Sequence, residues 1–538
     1  MSETTERPAE GRGGCALVLG MLLIATGVLL LAHNLFDYSL LPLLRKGVVL
    51  FAVYWPLLLV AWGAFKVFQR FAQPARARVG ALEIVLLVFF VLFGLSLTAA
   101  RKVLEDVSGQ KLEDLVGFST STLIGAPAHR FASVARFDLA AASELRIVNP
   151  GGNVNVLGGE GTEIEVQLTK RVHHPSESEA SAVADGVTLG FDASGSVGRL
   201  EVVLPEGKTA VECDLDVRAP RRASLTIENR RGRVSAHAIE GAVRIETAHD
   251  GIEAGNLKGG LEATTRHGEI RVRDVSGAVR LVNGGGAIVA EMVDGDLRAE
   301  ASHGRLVAED VRGNAVLATR HAPVQAARIG GELQVTSENG EVAVETASRS
   351  VAITGTDGTI FVRDVKGSLT IEAKNAGIQA RDIQGDVAIE SRDEAVTLVG
   401  VGGSARVVSP QSSVIVEEVE GALEIESSHD DVRVSDFGSS LKVRSSHAAV
   451  RVASGKLAGN VSVETTYGDV ELRVPKGASL RLEATARDGE LRSSVSGLEI
   501  QEERQGSEAV FRGALGSALH AVTIKTSYGD VVLAPGEP

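Results

Sequence analysis

Apolar and polar residues alternate between Gly241 and about Gly455, and this alternation repeats in twelve successive eighteen-residue units without a gap. One unit reads Gly-Ala-Leu-Glu-Ile-Glu-Ser-Ser-His (421–429) and then Asp-Asp-Val-Arg-Val-Ser-Asp-Phe-Gly (430–438). Self-similarity at a fixed period is typical of stacked repeats, in which each unit contacts only its neighbours. Each unit consists of two unlike nine-residue halves.

Each half of the unit has the pattern of a β-strand. Positions three and five are mostly aliphatic or Ala and their neighbours are mostly polar, as in Leu423-Glu-Ile-Glu426, which predicts one wet and one buried face. Position seven of the first half is small in eleven units, which predicts an inward site at a narrow corner. An apolar residue at position eight of the second half, such as Val275 or Phe437, predicts a bend that turns this side chain inward.

Two nine-residue sides per unit predict an all-β solenoid, specifically a two-sided parallel β-helix with 18 residues per coil. A triangular left-handed helix would show a six-residue sub-period, and a calcium-binding β-roll would need Gly-rich turns; the units show neither. An antiparallel meander is the alternative, because the His-Gly, Asn-Gly and Asp-Gly junctions also favour hairpins.

One column of the repeat, position nine of the first half, contains half of the twelve histidines: His249, His267, His303, His321, His429 and His447. Neighbouring coils would lie about 4.8 Å apart, so a bridging metal or a pH-sensitive ladder is one interpretation. The other members of the column are Gly, Asn, Asp and Gln. Because Gly, Asn, Asp and His tolerate positive φ, we favour a tight-turn role. We therefore assign no catalytic, cofactor-binding or metal-ligating residue and expect no cofactor.

Three apolar runs precede the repeats: Ala16–Ala32, Gly47–Phe65 and Val79–Leu97. Their lengths are close to the roughly 20 residues that cross a bilayer, so they predict a three-helix transmembrane region. The segment Lys66–Arg78 carries four basic residues and no acidic residue, which favours a cytoplasmic location for this loop. The solenoid is then extracytoplasmic, on a multi-pass protein of the cytoplasmic (inner) membrane.

These patterns divide the chain into six predicted segments. They are a cytoplasmic tail (1–15), the three-helix transmembrane region (16–97), a linker (98–143), an irregular β N-terminal cap (144–222), the regular β-solenoid (223–456) and a C-terminal β cap (457–538). We expect caps because open sheet edges recruit other chains.

Composition narrows the possible functions. The formal net charge of −14 argues against nucleic acid as a partner. Two cysteines, Cys15 and Cys213, make no disulfide framework. Between residues 232 and 455 the only aromatic residues are Phe361 and Phe437, so the repeats lack the aromatic sugar platforms of polysaccharide-cleaving β-helices. We predict a protein that is not an enzyme, with a polysaccharide-acting enzyme as the remaining catalytic alternative.

Two resemblances to known families are carried by local motifs. The stretch Leu19-Gly-Met-Leu-Leu-Ile-Ala-Thr-Gly-Val-Leu-Leu-Leu-Ala-His-Asn-Leu and the stretch Tyr54-Trp-Pro-Leu-Leu-Leu-Val-Ala-Trp-Gly resemble the LiaI/LiaF-like transmembrane region of bacterial envelope proteins. The motifs Thr466-Tyr-Gly-Asp-Val-Glu-Leu-Arg-Val-Pro and Ser527-Tyr-Gly-Asp-Val-Val-Leu-Ala-Pro, with the repeated strands, resemble the bacterial "putative adhesin" family over about 144–535. This second resemblance implies a β-solenoid displayed at the envelope and supplies no catalytic residues.

The sequence as a whole favours a membrane-anchored, non-enzymatic β-solenoid of the bacterial envelope, acting in adhesion-like interaction or scaffolding. The expected partners are the lipid bilayer and an envelope protein or polysaccharide. An envelope-stress signalling regulator is one alternative, suggested by the LiaF-like spans. A cytoplasmic-facing polymer-forming scaffold is another, if the orientation in the membrane is reversed.

Overall fold

The computed structural model of the chain describes residues 128–139, 143–174, 176–193, 195–205 and 211–536. The predicted transmembrane region (16–97), the LiaI/LiaF-like resemblance and most of the predicted linker lie outside these residues. Among the described residues, no helix combines the length and the apolar character needed to cross a bilayer.

The described chain forms a parallel β-solenoid of about 14 turns, with roughly 18 residues per turn, as the repeat predicts. Each regular unit contributes one strand to each of two facing sheets. Each strand of these regular coils pairs in parallel with the equivalent strands of the coils before and after it, so that Ile425 lies between Val407 and Val443. This parallel pairing contradicts the antiparallel meander.

The strands and the helix are numbered in chain order. The N-terminal part contains β1 (Ala128–Asp138), β2 (Glu144–Asn149), β3 (Val154–Gly159), β4 (Glu163–His173), helix α1 (Glu177–Asp185), β5 (Thr188–Asp192), β6 (Val197–Val203) and β7 (Val211–Pro220). The first regular coils contain β8 (Ser224–Asn229), β9 (Val234–His237), β10 (Val243–Thr247), β11 (Ile252–Leu257), β12 (Leu261–Thr265), β13 (Ile270–Val275), β14 (Val279–Asn283), β15 (Ile288–Val293), β16 (Leu297–Ala301), β17 (Leu306–Val311), β18 (Ala315–Thr319), β19 (Val324–Ile329), β20 (Leu333–Asn339) and β21 (Val342–Ala347).

The later regular coils contain β22 (Val351–Val365), β23 (Leu369–Ala373), β24 (Ala376–Ile383), β25 (Val387–Glu390), β26 (Val396–Val401), β27 (Ala405–Ser409), β28 (Val414–Val419), β29 (Leu423–Ser427), β30 (Val432–Phe437), β31 (Leu441–Arg444), β32 (Val450–Ala453), β33 (Val461–Glu464) and β34 (Val470–Val474). The C-terminal part contains β35 (Leu480–Ala486), β36 (Leu491–Ser493), β37 (Glu499–Gln505), β38 (Glu508–Leu515), β39 (His520–Thr526) and β40 (Val531–Pro535).

We call the two facing sheets sheet 1 and sheet 2. Sheet 1 contains the first strand of each regular coil, which means the even-numbered strands from β8 to β20 and the odd-numbered strands from β23 to β33. Sheet 2 contains the second strand of each coil, which means the odd-numbered strands from β9 to β21 and the even-numbered strands from β24 to β34. Strand β22 turns the corner without a break and pairs in both sheets.

The inward columns of both sheets form one continuous apolar core. Leu423 and Ile425 are buried, as are the equivalent residues of the other coils. The small column at position seven is also inward. Two of its polar members hydrogen-bond to the adjoining turn: Thr265 Oγ1 donates to the carbonyl of Asp250 at 3.1 Å, and Asn283 Nδ2 donates to that of Gly268 at 2.6 Å. These bonds satisfy backbone groups at the corner that the sheets leave unpaired. The hydroxyls of Thr247, Ser337, Ser391 and Ser427 in the same column are buried without a hydrogen-bond partner among the described residues.

The predicted bend in the second half of the unit is a bulge with a left-handed residue. Positive φ recurs every eighteen residues, at Asn256, Asp274, Met292, Asp310, Arg328, Thr346, Asp364, Asp382, Gly400, Glu418 and Asp436. The pairing skips this residue on both strands: Arg273 aligns with Glu291 and Val275 with Val293, while Asp274 and the equivalent Met292 are both left out of the ladder. The bulge turns Val275 into the core, as its apolar character predicts.

The prediction that position nine of the first half requires positive φ was wrong. Of its twelve residues, all of them described, only Asn375 has positive φ, at 48°. The left-handed conformation occurs instead in the second half of the unit, at the one residue that the strand pairing skips, such as Asp274. Tolerance of positive φ therefore does not account for the histidine column.

Both ends of the stack depart from chain order. The coil of β2 and β3 lies between that of β6 and β7 and that of β8 and β9. At the other end, β39 and β40 lie between the coil of β33 and β34 and that of β35 and β36. Neither exchange follows from the repeat, nor does α1 or strand β1 within the predicted linker. The exchanges place each terminal segment between two other coils.

Replacing Asp274 with Val tests the bulge column. A β-branched side chain is strained at positive φ, so Asp274→Val should destabilise the coil by about 1–2 kcal/mol, whereas Asp274→Asn should be nearly neutral. Thermal melting of the two variants measures the difference. Equal midpoints would contradict a left-handed requirement at this position.

Candidate functional site

The histidine column follows one corner of the solenoid, where each coil passes from sheet 1 to sheet 2. All six histidines are exposed, and they stack in pairs. The ring centroids of His249 and His267 are 5.7 Å apart and those of His303 and His321 are 5.3 Å apart. His429 and His447 are closer, at 5.2 Å, with ring planes only 8° apart.

The third pair continues into two tyrosines. Tyr467 stacks on His447 with centroids 4.8 Å apart, and Tyr528 stacks on Tyr467 at 4.9 Å, with ring planes 15° and 8° apart. We call His429, His447, Tyr467 and Tyr528 the ring file. Both tyrosines are 53% exposed, so the file presents a row of parallel ring edges to solvent.

Backbone hydrogen bonds fix the spacing of the ring file. The N–H of His447 donates to the carbonyl of Ser428 at 2.7 Å, and the N–H of Tyr467 donates to that of Ser446 at 2.8 Å. Tyr528 repeats the bond to Thr466 at 2.9 Å. Each ring is therefore anchored to the coil before it, at close to one strand spacing.

The residue after each tyrosine explains the Tyr-Gly motif. A Cβ on Gly468 would collide with the carbonyl oxygen of Ala448, and a Cβ on Gly529 would collide with that of Gly468. The N–H of Gly468 also donates to Thr465 Oγ1 at 3.3 Å. The glycine therefore allows neighbouring turns to approach closely enough for the rings to stack.

The stacked rings do not converge on a common metal position. Two nitrogen ligands of zinc are at most about 4.2 Å apart, because each lies about 2.1 Å from the ion. The near-parallel rings of His429 and His447 hold equivalent nitrogens roughly as far apart as their centroids, 5.2 Å. Among the described residues, no group of three or more His, Cys, Asp and Glu side chains is arranged to hold a metal. Both histidines instead lie in a stack.

A second feature, which the sequence analysis missed, is an acidic groove along the bulge column. Asp364, Asp382, Glu418 and Asp436 line it together with Lys456. Three of the acids already have partners: Asp364 accepts from Thr346 Oγ1, Asp382 lies 3.8 Å from Arg363, and Asp436 accepts from the N–H of Gly455. The repeated Asp at this position of the unit was the sequence feature that could have revealed the groove. Because Asp tolerates positive φ, the left-handed backbone alone explains why Asp recurs there.

Comparison with known proteins gives one sequence family. The family described as Toastrack DUF4097 matches residues 412–534, which include the whole ring file. No curated protein matches the chain. A crystal structure of a "putative cell adhesion protein" from Clostridium sporogenes matches with 10% identity and a TM-score of 0.15, covering 76% of this chain and all of that one.

The stability of the fold should depend on the protonation of His249. Partial burial of its ring, and then the nearby charge of His267, lower the pKa of His249 in the folded chain. Its unfolded pKa is about 6.5, so as the pH falls below this value the unfolded state takes up a proton more readily than the folded state. The contribution of His249 to the free energy of unfolding is therefore complete above its unfolded pKa, and it is lost as the pH falls through the lower pKa of the folded chain.

When the pH is lowered from 8 to 5, the thermal midpoint of His249→Asn should therefore fall less than that of the parent protein. Asn occupies the same column at position 339, so the substitution suits this corner. An identical fall in both proteins would contradict the assignment.

Proposed function

We propose that the chain is a membrane-anchored, non-enzymatic β-solenoid protein of the bacterial envelope that acts through adhesion-like interaction with an envelope protein or polysaccharide. The observation that carries the proposal is the ring file, an exposed stack of two imidazoles and two phenols on a hydrogen-bonded scaffold. Tyrosine is enriched at protein interaction surfaces, because it combines a large apolar ring with a polar hydroxyl.

The scaffold lowers the cost of binding at the ring file. An unrestrained tyrosine loses side-chain entropy when a partner immobilises it, at about 0.5–1.5 kcal/mol per side chain. The stacked neighbours of Tyr467 on both sides already restrict its ring. A partner that contacts the ring edges therefore gains contact area with little further ordering.

The membrane anchor and the outward orientation of the solenoid are supported by the sequence. The three apolar runs within 16–97 have the length of bilayer spans, and the basic segment 66–78 favours a cytoplasmic loop between the second and third spans. Under this topology, the ring file faces the extracytoplasmic side, where envelope partners are available.

Removal of the two tyrosine rings tests the interaction. Full-length chain in detergent is incubated with isolated bacterial cell walls, and the bound fraction is measured. Tyr467→Ser with Tyr528→Ser should reduce binding at least tenfold, because both exposed rings are lost. Phe361→Ser is the matched control, since Phe361 is also exposed but lies on the outer face of sheet 2. Equal binding by the parent and the double variant, at unchanged melting temperature, would reject the ring file as the binding surface.

Thiol labelling tests the orientation. Lys456 is exposed, so Lys456→Cys in a Cys15→Ser background provides an accessible thiol. Cys213 should stay unlabelled, because it is buried and burial raises the pKa of its thiol to about 11. A membrane-impermeant maleimide should label Lys456→Cys in intact spheroplasts. Labelling only after permeabilisation would support the cytoplasmic-facing scaffold instead.

A further inference from the structure

The two sheets of the solenoid end in edge strands. At the N-terminal end, sheet 2 continues from β9 through β3, β7 and β4 to β1. Among the described residues, four strands have a neighbour on one side only: β1 and β36 at the ends of sheet 2, and β5 and β37 at the ends of sheet 1. An edge strand presents a row of backbone N–H and C=O groups to which a further strand can bind.

Three of these four edges are protected against strand addition. Strand β36 has three residues and β5 has five. Strand β37 is longer, but four of its seven residues are charged: Glu499, Glu502, Glu503 and Arg504. Short length and charge are the usual means by which proteins block an edge. Strand β1 uses neither, because it has 11 residues and its centre, Phe131–Ala135, carries no charge.

The side chains of β1 differ between the two sides of the sheet. Phe131 and Phe137 lie on the inward side, where they are partly buried against the core. Arg130, Val134 and Asp138 lie on the outward side, and Val134 is 64% exposed. A strand that binds at this edge therefore contacts aromatic rings on one side and charged side chains on the other.

The order of these residues makes β1 complementary to itself. When two copies of β1 run antiparallel with Val134 opposite Val134, Arg130 of each copy lies opposite Asp138 of the other. On the inward side, Phe131 of each copy lies opposite Phe137 of the other. Opposite charges and aromatic rings are the directly opposed pairs that stabilise antiparallel strands. A strand of an unrelated protein would not require this symmetry about Val134, so the symmetry selects a second copy of the chain.

We propose that β1 pairs with β1 of a second copy around a two-fold axis that passes through Val134 perpendicular to the sheet. This rotation keeps both inward sides on the same side of the joined sheet. The two solenoids extend from the junction in opposite directions, so they do not overlap. Main-chain hydrogen bonds along Arg130–Asp138 supply the affinity, as in other cases of strand addition. Closed dimers of this kind use the same patch on both chains.

Neighbouring registers are disfavoured. An axis at Ser133 would place Arg130 opposite Arg136 at both ends of the ladder, and like charges directly opposite destabilise a strand pair. An axis at Ala135 would place Arg136 opposite Val134 and would leave Asp138 without an opposite charge. An axis between two residues would place inward side chains opposite outward ones. The register centred on Val134 is therefore preferred on both sides of the sheet.

The remaining charge of β1 is accommodated in the proposed register. Arg136 lies opposite Ala132 of the second copy, so no like charges are directly opposite. Its guanidinium already has a partner in its own chain, because Arg136 Nη2 lies 2.9 Å from Glu165 Oε1 on β4. Arg136 therefore needs no acidic residue from the second copy.

Oxidative cross-linking of the full-length chain in detergent, with Cys15→Ser as background, tests the axis. Directly opposite Cα atoms of an antiparallel ladder lie about 4.5–5.5 Å apart, which a disulfide can bridge. Val134→Cys faces itself on the axis and should give a disulfide-linked dimer in high yield. Leu157→Cys is the matched control, because Leu157 is also exposed but its strand β3 is paired on both sides. Equal yields at the two positions would overturn the proposal.

Charge exchange tests the register without engineered thiols. Arg130→Asp places two like-charged pairs across the dimer and should weaken dimerisation at least tenfold, measured by sedimentation of the detergent-solubilised chain. Adding Asp138→Arg restores both pairs with the signs exchanged, so the double variant should dimerise like the parent. A double variant that dimerises no better than Arg130→Asp would reject the register.

The dimer and the proposed function can fail independently. Strand β1 contains no residue of the ring file, so a monomeric chain that binds cell walls would reject only the dimer. A dimeric chain whose cell-wall binding does not depend on the two tyrosines would reject only the ring file as the binding surface.

Discussion

The alignment of each coil with the next is the constraint on which the other features depend. A parallel strand must lie about 4.8 Å from its neighbour to form its hydrogen bonds, and the inward columns must stack while it does so. Extra residues are therefore accommodated at turns. The segment after β32 lengthens one coil, so that Val443 aligns with Val463, twenty residues on, and both remain buried. The same spacing brings the rings of His447 and Tyr467 into contact.

The coil architecture was predictable because it is encoded in columns that repeat many times. An apolar residue at position three, such as Leu423, carries little information alone, but twelve equivalent positions identify an inward face. The left-handed column was harder to recognise. Asp274 and Asn256 suit positive φ, but Met292, Arg328 and Thr346 occupy the same column and obscure it. The histidine column contains residues with the same conformational tolerance, which led the turn prediction to the wrong corner.

The ring file was only partly visible in the sequence. The two Tyr-Gly-Asp-Val motifs are evident, and His429 and His447 belong to a recognisable column. Their assembly depends on the exchange of coil order at the C-terminal end, which places Tyr528 directly after Tyr467 although 61 residues separate their strands. Periodicity identifies strands and their faces, but it does not determine the order in which irregular terminal coils stack. That order follows from which strands can bury the last open faces of the core.

The charged side chains on the outer faces contribute to the fold in a different way from the inward columns. Lys442 donates a hydrogen bond to Glu424 at 2.6 Å, and this bond lowers the pKa of Glu424. Exposed pairs of this kind nevertheless contribute little to stability, since solvent screens them and ordering the side chains costs entropy. Folding therefore leaves the signs of the charges along these outer faces free, and the inward columns set the alignment of the coils.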